Sequence, residues 1–250
     1  MILRQTGNGR PLLLLHSLLA DGRSVEALAS ELSQTHRVVI ADLPGYGGSP
    51  RSTASIPQIA QELMAAMMAE GFKRDLSVLG NGYGGFVALS LAQQFSAAVG
   101  RLILLDSAAA FPPAGKQGIQ TMLDKVRIGG MSAAVDIGVS RLFPPAYIET
   151  HPDVVATYRA ALLQMDAESF ICMCQNLINV DLRPGLSAVR SNTLVIVGLE
   201  DHATPAALAR EVATTIPDAK LLELAGCGHA PHIQMPEVVI PLIKEFLDEA

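Results

Sequence analysis

Five short segments of this chain carry the residue types of nucleophilic and acid–base chemistry, and each directly follows an apolar run of strand length. They are His16-Ser17-Leu18-Leu19, Asp42-Leu43-Pro44-Gly45-Tyr46-Gly47-Gly48-Ser49, Gly80-Asn81-Gly82-Tyr83-Gly84-Gly85, Gly198-Leu199-Glu200-Asp201 and Gly226-Cys227-Gly228-His229. Open parallel sheets place ligands at the carboxyl ends of their strands, so loops in these positions are the first place to look for a site. Other chemistries fit less well. His202 and His232 lie near Asp201 and His229, but adjacent positions rarely aim both side chains into one metal site. Cys227 sits in a small-residue turn that favours packing over nucleophilic attack. Gly7-Asn8-Gly9 and the glycines at 45–48 read as turns, and no loop has the spacing of a phosphate-binding or dinucleotide-binding motif.

The elements that must position these loops are an alternation of strands and helices. Apolar runs at residues 11–15, 37–41, 76–79, 102–105, 193–197 and 220–224 are separated by segments of helical spacing at 25–32, 56–68, 86–95, 206–216 and 238–247. Continuous apolar strands between helices imply a mostly parallel sheet covered on both faces. Only residues 1–5 precede the first turn, which leaves room for at most one short strand before residue 11. Between 111 and 189 the spacing is helical throughout and broken by Pro and Gly, so a helical insertion is expected between the fourth and fifth of these strands. The resulting division is 1–110 with 190–250 as core and 111–189 as insertion. Met64, Met67 and Met68 lie at helical spacing and read as core filler.

Composition narrows the partners. The 250 residues are 50% hydrophobic and 17% charged, with 21 Gly and 15 Pro, as in a globular domain and not a disordered or fibrous chain. A net charge of −6 argues against nucleic acid and anionic membrane, which need clustered Lys and Arg. Small neutral or apolar molecules are the expected partners. Three cysteines imply no disulfide framework. With no signal-peptide pattern at the start and no bilayer-length apolar run, the expected location is cytoplasmic.

Taken in chain order, the five segments resemble the α/β-hydrolase fold family, and the resemblance spans essentially the whole chain. It implies that Asp201 is the triad acid and His229 the triad base, where the alternatives are a loop-capping carboxylate and a satisfied core histidine. It also puts Gly82 where the family's Gly-x-Ser-x-Gly turn has its nucleophile, so no serine acyl-enzyme can form at that position. Gly tolerates the strained dihedrals of such a turn, and the backbone geometry is expected to persist. Asn81 and Tyr83 are expected to flank the pocket, and the N–H groups of Tyr83 and Leu18 to serve as oxyanion donors, which side-chain loss leaves intact. His229 is expected to accept no side chain at position 82 and to point its free nitrogen at an empty or water-filled volume.

Ser17 replaces the more usual Gly of the His-Gly pair, with its hydroxyl toward the pocket. Two readings stand side by side: a turn-stabilising serine, or a substrate-touching hydroxyl such as similar fold members, the hydroxynitrile lyases, carry. The insertion resembles the helical cap of the 3-oxoadipate enol-lactonase group, on Gly129-Gly130-Met131, Arg141-Leu142-Phe143, His151-Pro152-Asp153-Val154-Val155, Arg159-Ala160-Ala161-Leu162-Leu163 and Asp181-Leu182-Arg183-Pro184. That implies a small ester or lactone, with or without a carboxylate, as the ancestral substrate. Arg127, Arg141 or Arg159 could pair the carboxylate, although a solvated cap face is the simpler reading of each.

The resemblance thus implies an esterase or lactonase-type hydrolase that needs no cofactor or metal. Without the elbow hydroxyl the chain is either an inactivated form or works through His229 and Asp201 as a general-base pair. The alternatives are lyase or isomerase chemistry on the same fold, and a catalytically silent ligand-binding protein.

Overall fold

The computed structural model describes residues 1–72 and 74–249. In chain order the elements are β1 (Ile2–Thr6), β2 (Arg10–Leu15), α1 (Glu26–Leu32), β3 (His36–Asp42), α2 (Ile56–Ala69), β4 (Leu76–Asn81), α3 (Tyr83–Gln94) and β5 (Val99–Leu105). There follow α4 (Pro113–Gly129), α5 (Val135–Leu142), α6 (Pro145–Thr150), α7 (Pro152–Gln164) and α8 (Ala167–Asn179). The chain ends with β6 (Asn192–Gly198), α9 (Ala206–Thr215), β7 (Lys220–Leu224), α10 (Pro231–Gln234) and α11 (Pro236–Asp248).

The seven strands form one sheet in the order β1-β3-β2-β4-β5-β6-β7. Every neighbouring pair is parallel except β1 with β3, so the single short strand allowed before residue 11 is the antiparallel edge. Because successive strand side chains point to opposite faces, the continuous leucine run of β2 feeds two cores. Leu13 and Leu15 join Val39, Val78, Leu102 and Leu104 on the face covered by α2, α3 and α9. Leu12 and Leu14 join Val38, Leu79, Ile103 and Ile196 on the face covered by α1 and α11. This is why the strands read as unbroken apolar runs and not as alternations.

Two boundaries differ from the periodicity. The helix expected at 25 begins as a 3-10 turn over Gly22–Val25. The helix expected at 86 begins at Tyr83, because the chain reverses within one residue, Gly82, after β4. Met64 and Met67 are buried in the core as expected, but Met68 on the same helix is 43% exposed, being one position past the apolar stripe.

Between β5 and β6 the chain forms α4–α8 and, among the described residues, no strand longer than a single bridge. That bridge pairs Ala110 with Asp181, and the Leu182 N–H donates to the Ala109 carbonyl at 2.9 Å, so the two ends of the helical excursion are stapled beside the sheet. No helix among the described residues is long and apolar enough to cross a membrane.

Candidate active site

β4 gives way to α3 through the single residue Gly82, with φ 51° and ψ −115°. This left-handed backbone suits glycine and would strain any other residue. The turn is closed by the Gly82 N–H donating to the Leu105 carbonyl at 3.0 Å and by the Ser107 hydroxyl donating to the Gly82 carbonyl at 3.0 Å. Helix and sheet then approach so closely that a Cβ at Gly84 would fall 2.5 Å from the Leu15 carbonyl oxygen. As the first helical residue of α3, Tyr83 has an N–H with no intrahelical acceptor.

Opposite Gly82 stands His229, in the loop after β7. Its backbone is fixed from two sides: the N–H donates to the Leu142 carbonyl at the end of α5 (2.9 Å), and the carbonyl accepts from Asn81 Nδ2 (3.0 Å). Its ring Nδ1 lies 2.9 Å from Asp201 Oδ2, both side chains being buried. The other Asp201 oxygen accepts from the N–H groups of Ala203 and Thr204. Burial acts to raise the pKa of Asp201, but the adjacent imidazole and the Thr204 hydroxyl and N–H outweigh it and hold the group below the ordinary carboxylate value. An ionised Asp201 accepts from Nδ1–H, which leaves Nε2 as the unprotonated nitrogen of His229.

That nitrogen does not face an empty volume. Ser17 Oγ lies 3.1 Å from it, so the hydroxyl donates to Nε2 and occupies the space expected to be vacant beside Gly82. The space is shared: a Cβ built on Gly82 would fall 2.5 Å from Ser17 Oγ and 2.6 Å from Nε2, so a side chain at 82 would have to displace one or both groups. The Ser17 loop is held by its neighbours. The Leu43 N–H donates to His16 Nε2 at 3.0 Å, so the ring proton is on Nδ1, which donates to the Ser17 carbonyl at 2.9 Å. Tyr46 donates its hydroxyl proton to the Leu18 carbonyl at 2.9 Å. The glycine-rich segment at 42–49 therefore acts on the site as a brace of the Ser17–Leu18 loop.

Ser17, Leu18, Gly82, Tyr83 and His229 converge on one cavity of about 30 Å³, whose apolar walls include Phe86, Phe111, Ile119, Met122 and Leu177. Asn81 does not line it, contrary to expectation; its amide is spent on the Leu105 and His229 carbonyls behind the turn. Arg141 does line it, and forms no ion pair among the described residues, whereas Arg127 pairs with Asp124 and Arg159 with Asp136. A larger open hollow of about 530 Å³ beside Arg4, Asp21, Arg23 and Asp42 contains none of these residues.

Two contributors carried no distinguishing signal in the sequence. Thr204 Oγ1 lies 2.6 Å from Asp201 Oδ2 and 3.2 Å from His229 Nδ1. Asp106, just after β5, is fully buried with Oδ1 accepting from the Gly198 N–H at 2.8 Å, and no hydrogen-bond donor among the described residues reaches its Oδ2. Its position after a strand end was the one available hint. Asp106, Asp201 and His229 present ligand atoms within 4.8 Å of one another, but Asp201 Oδ2 and His229 Nδ1 are already spent on each other. His202 is exposed while Asp201 beside it is buried, which separates it from any such cluster. His232 is buried, and neither ring nitrogen has a hydrogen-bond partner among the described residues. Cys227 is fully buried, and burial pushes its thiol up, as the packing role requires.

A tight strand-to-helix turn at the carboxyl edge of a parallel sheet, faced by an Asp–His pair from the last two strand ends, defines a class, and comparison agrees. The Alpha/beta hydrolase family model matches residues 12–242, and the chain belongs to that family. Among solved structures it superposes on the enol-lactonase from Burkholderia xenovorans LB400 with a TM-score of 0.93 and 27% identity, covering 99% of this chain and 96% of that one. The pimeloyl-[acyl-carrier protein] methyl ester esterase of Vibrio cholerae is 27% identical over 248 residues, 96% of this chain and 95% of the relative. Polyketide synthase ThaQ of Burkholderia thailandensis is 28% identical over 249 residues, 97% of this chain but only 12% of that much longer protein.

Proposed function

We propose that this α/β hydrolase acts on a small ester, lactone or related carbonyl compound, with His229 as general base. Asp201 orients the imidazole and stabilises its charged form, and the N–H groups of Leu18 and Tyr83 hold the developing oxyanion. The observation that carries this reading is the buried Asp201–His229 pair whose second ring nitrogen, bonded to Ser17 Oγ, lies at a cavity lined by Leu18 and Tyr83 as well as His229. A proton taken at Nε2 is compensated within hydrogen-bonding distance by the carboxylate, an arrangement a simple binding protein does not require. The enol-lactonase and methyl ester esterase relatives support the substrate class.

Substrate selection falls to the helical segment 111–189, which we read as a cap over the sheet's carboxyl edge. Arg141 on α5 is the one candidate arginine that both lines the cavity and lacks a protein carboxylate among the described residues. A carboxylate on the substrate is its natural partner. The three thiols are unbridged, consistent with a cytoplasmic enzyme.

Gly82 favours a second reading on one point. With no elbow hydroxyl, the one donor to His229 Nε2 among the described residues is Ser17 Oγ, and a substrate that displaces it would give Nε2 its own proton in lyase or isomerase chemistry. Hydrolysis of p-nitrophenyl acetate and of small enol-lactones by the protein and by His229→Ala separates these readings. Hydrolysis that falls by ~10²–10⁴-fold in the variant supports the esterase reading. No His229-dependent hydrolysis of either probe eliminates it and leaves the lyase, isomerase and silent-binding alternatives.

A further inference from the structure

We infer that the nucleophile of this site has moved from the elbow to the loop after β2, and that Ser17 Oγ performs the attack that no side chain at Gly82 can make. The inference rests on the proposed reading of His229 as base and goes beyond it in naming the atom that base serves. Three observations carry it.

First, Ser17 Oγ is 3.1 Å from His229 Nε2, and His229 Nδ1 is 2.9 Å from Asp201 Oδ2, so hydroxyl, imidazole and carboxylate form a continuous relay. Nucleophile and base within hydrogen-bond reach, with the base oriented by a third group, is the arrangement that activates a serine. Second, the Ser17 hydroxyl as placed and an elbow side chain at position 82 compete for the same space. The Cβ that an elbow residue would carry falls 2.5 Å from Ser17 Oγ, so the serine hydroxyl already stands at the mouth of the elbow. Third, the backbone donors serve either location. Leu18 follows Ser17 as Tyr83 follows Gly82, and both residues line the same cavity. The loop is also preorganised, through His16, Tyr46 and the Ala20 N–H that donates to the Ser17 carbonyl.

The step balances without any further reactant. As Ser17 Oγ bonds to the substrate carbonyl carbon, its proton passes to His229 Nε2, and the carbonyl π pair moves to oxygen, facing the Leu18 and Tyr83 N–H groups. Collapse of this intermediate breaks the bond to the leaving alkoxy oxygen, which takes the proton from Nε2. Water then attacks the Ser17 ester, giving its proton to Nε2, and Ser17 Oγ leaves with that proton as the acid product forms.

A fluorophosphonate probe with peptide mapping, run beside p-nitrophenyl acetate hydrolysis, tests this on the intact chain. One label per chain is expected, on Ser17, with labelling and hydrolysis each slowed at least ~100-fold in Ser17→Ala and in His229→Ala. Ser17→Cys should keep a covalent acyl intermediate, now as a thioester visible by mass. The mapping is done on the unmodified protein and does not depend on any variant folding. If hydrolysis remains His229-dependent while Ser17 is unlabelled and Ser17→Ala retains full rate, the relocated nucleophile is overturned and the general-base reading stands. If neither label nor His229-dependent hydrolysis is found, both fall together.

Discussion

The carboxyl groups of Asp106 and Asp201 each present an oxygen within 4.8 Å of the other and of a His229 ring nitrogen. Asp106 is fully buried, accepts from the Gly198 N–H, and has an oxygen that no hydrogen-bond donor among the described residues reaches. Burial and the neighbouring Asp201 charge push its pKa well above the ordinary carboxylate range. With Asp201 held ionised by the imidazole, the proton of the pair resides on Asp106.

Asp106→Asn reproduces the protonated acid in shape and keeps an acceptor for Gly198. A carboxyl whose folded pKa is raised gives stability that is present below its unfolded value of about 3.9 and lost as pH climbs toward the folded one. The parent should therefore lose stability from about pH 4 upward through this group, and the Asn variant should not. Thermal midpoints across pH check it: the two proteins should agree near pH 4 and diverge, with the variant higher, toward pH 8. A variant less stable at every pH would mean that Asp106 is ionised and bonded.

His232 works in the opposite direction. Burial, with His229 nearby, pushes it down to about 4. An imidazole kept neutral by the fold favours the folded state above its unfolded value of about 6.5, and that contribution is lost as pH falls from there toward 4. The full difference is on the order of 3 kcal/mol. Urea unfolding at several pH values should show a decline between pH 6.5 and 4 that is shallower in His232→Leu; equal slopes would place the decline elsewhere.

Restoring an elbow hydroxyl needs two changes. Gly82→Ser alone places a Cβ against Ser17 Oγ and His229 Nε2 and puts a non-glycine residue at φ 51°. The backbone strain costs ~1–3 kcal/mol, which at ~2–4 °C per kcal/mol shows as a lowered thermal midpoint. Adding Ser17→Ala removes the nearer clash. The double variant should be more stable than Gly82→Ser and hydrolyse p-nitrophenyl acetate ~10²–10⁴-fold faster than the same protein carrying His229→Ala. If Gly82→Ser is as stable as the parent, the contact at Ser17 is not limiting.

Arg141→Met should distinguish substrates. A charged hydrogen bond lost to a substrate carboxylate, worth about 1.5–3 kcal/mol, raises KM for a carboxylated lactone ~10–100-fold while leaving the uncharged p-nitrophenyl acetate within about two-fold. Equal losses on both probes would make Arg141 a packing residue.

Much of this was readable before any coordinates, and the unreadable part has a physical cause. Strand ends are visible because buried parallel strands cannot alternate, and Asp201 and His229 follow two of them in the family's order. The pairing of Ser17 with His229 joins positions 212 residues apart and depends on an atom that Gly82 lacks, so no local pattern encodes it. Asp106 follows a leucine strand as an ordinary capping carboxylate would, and only the convergence of β5 and β6 shows it beside Asp201. Asn81 sits beside the elbow in sequence as a pocket residue would, yet its side chain turns behind the elbow, where two carbonyls need a donor.

The central claim is that Asp201 and His229 act as one unit on a carbonyl substrate. The most direct measurement is kcat/KM for p-nitrophenyl acetate in the parent, His229→Ala, Asp201→Asn and the double variant. Residues that act as a unit are non-additive, so each single variant should lose ~10²–10⁴-fold and the double variant little more than His229→Ala alone. Parent activity indistinguishable from that of His229→Ala would contradict the account.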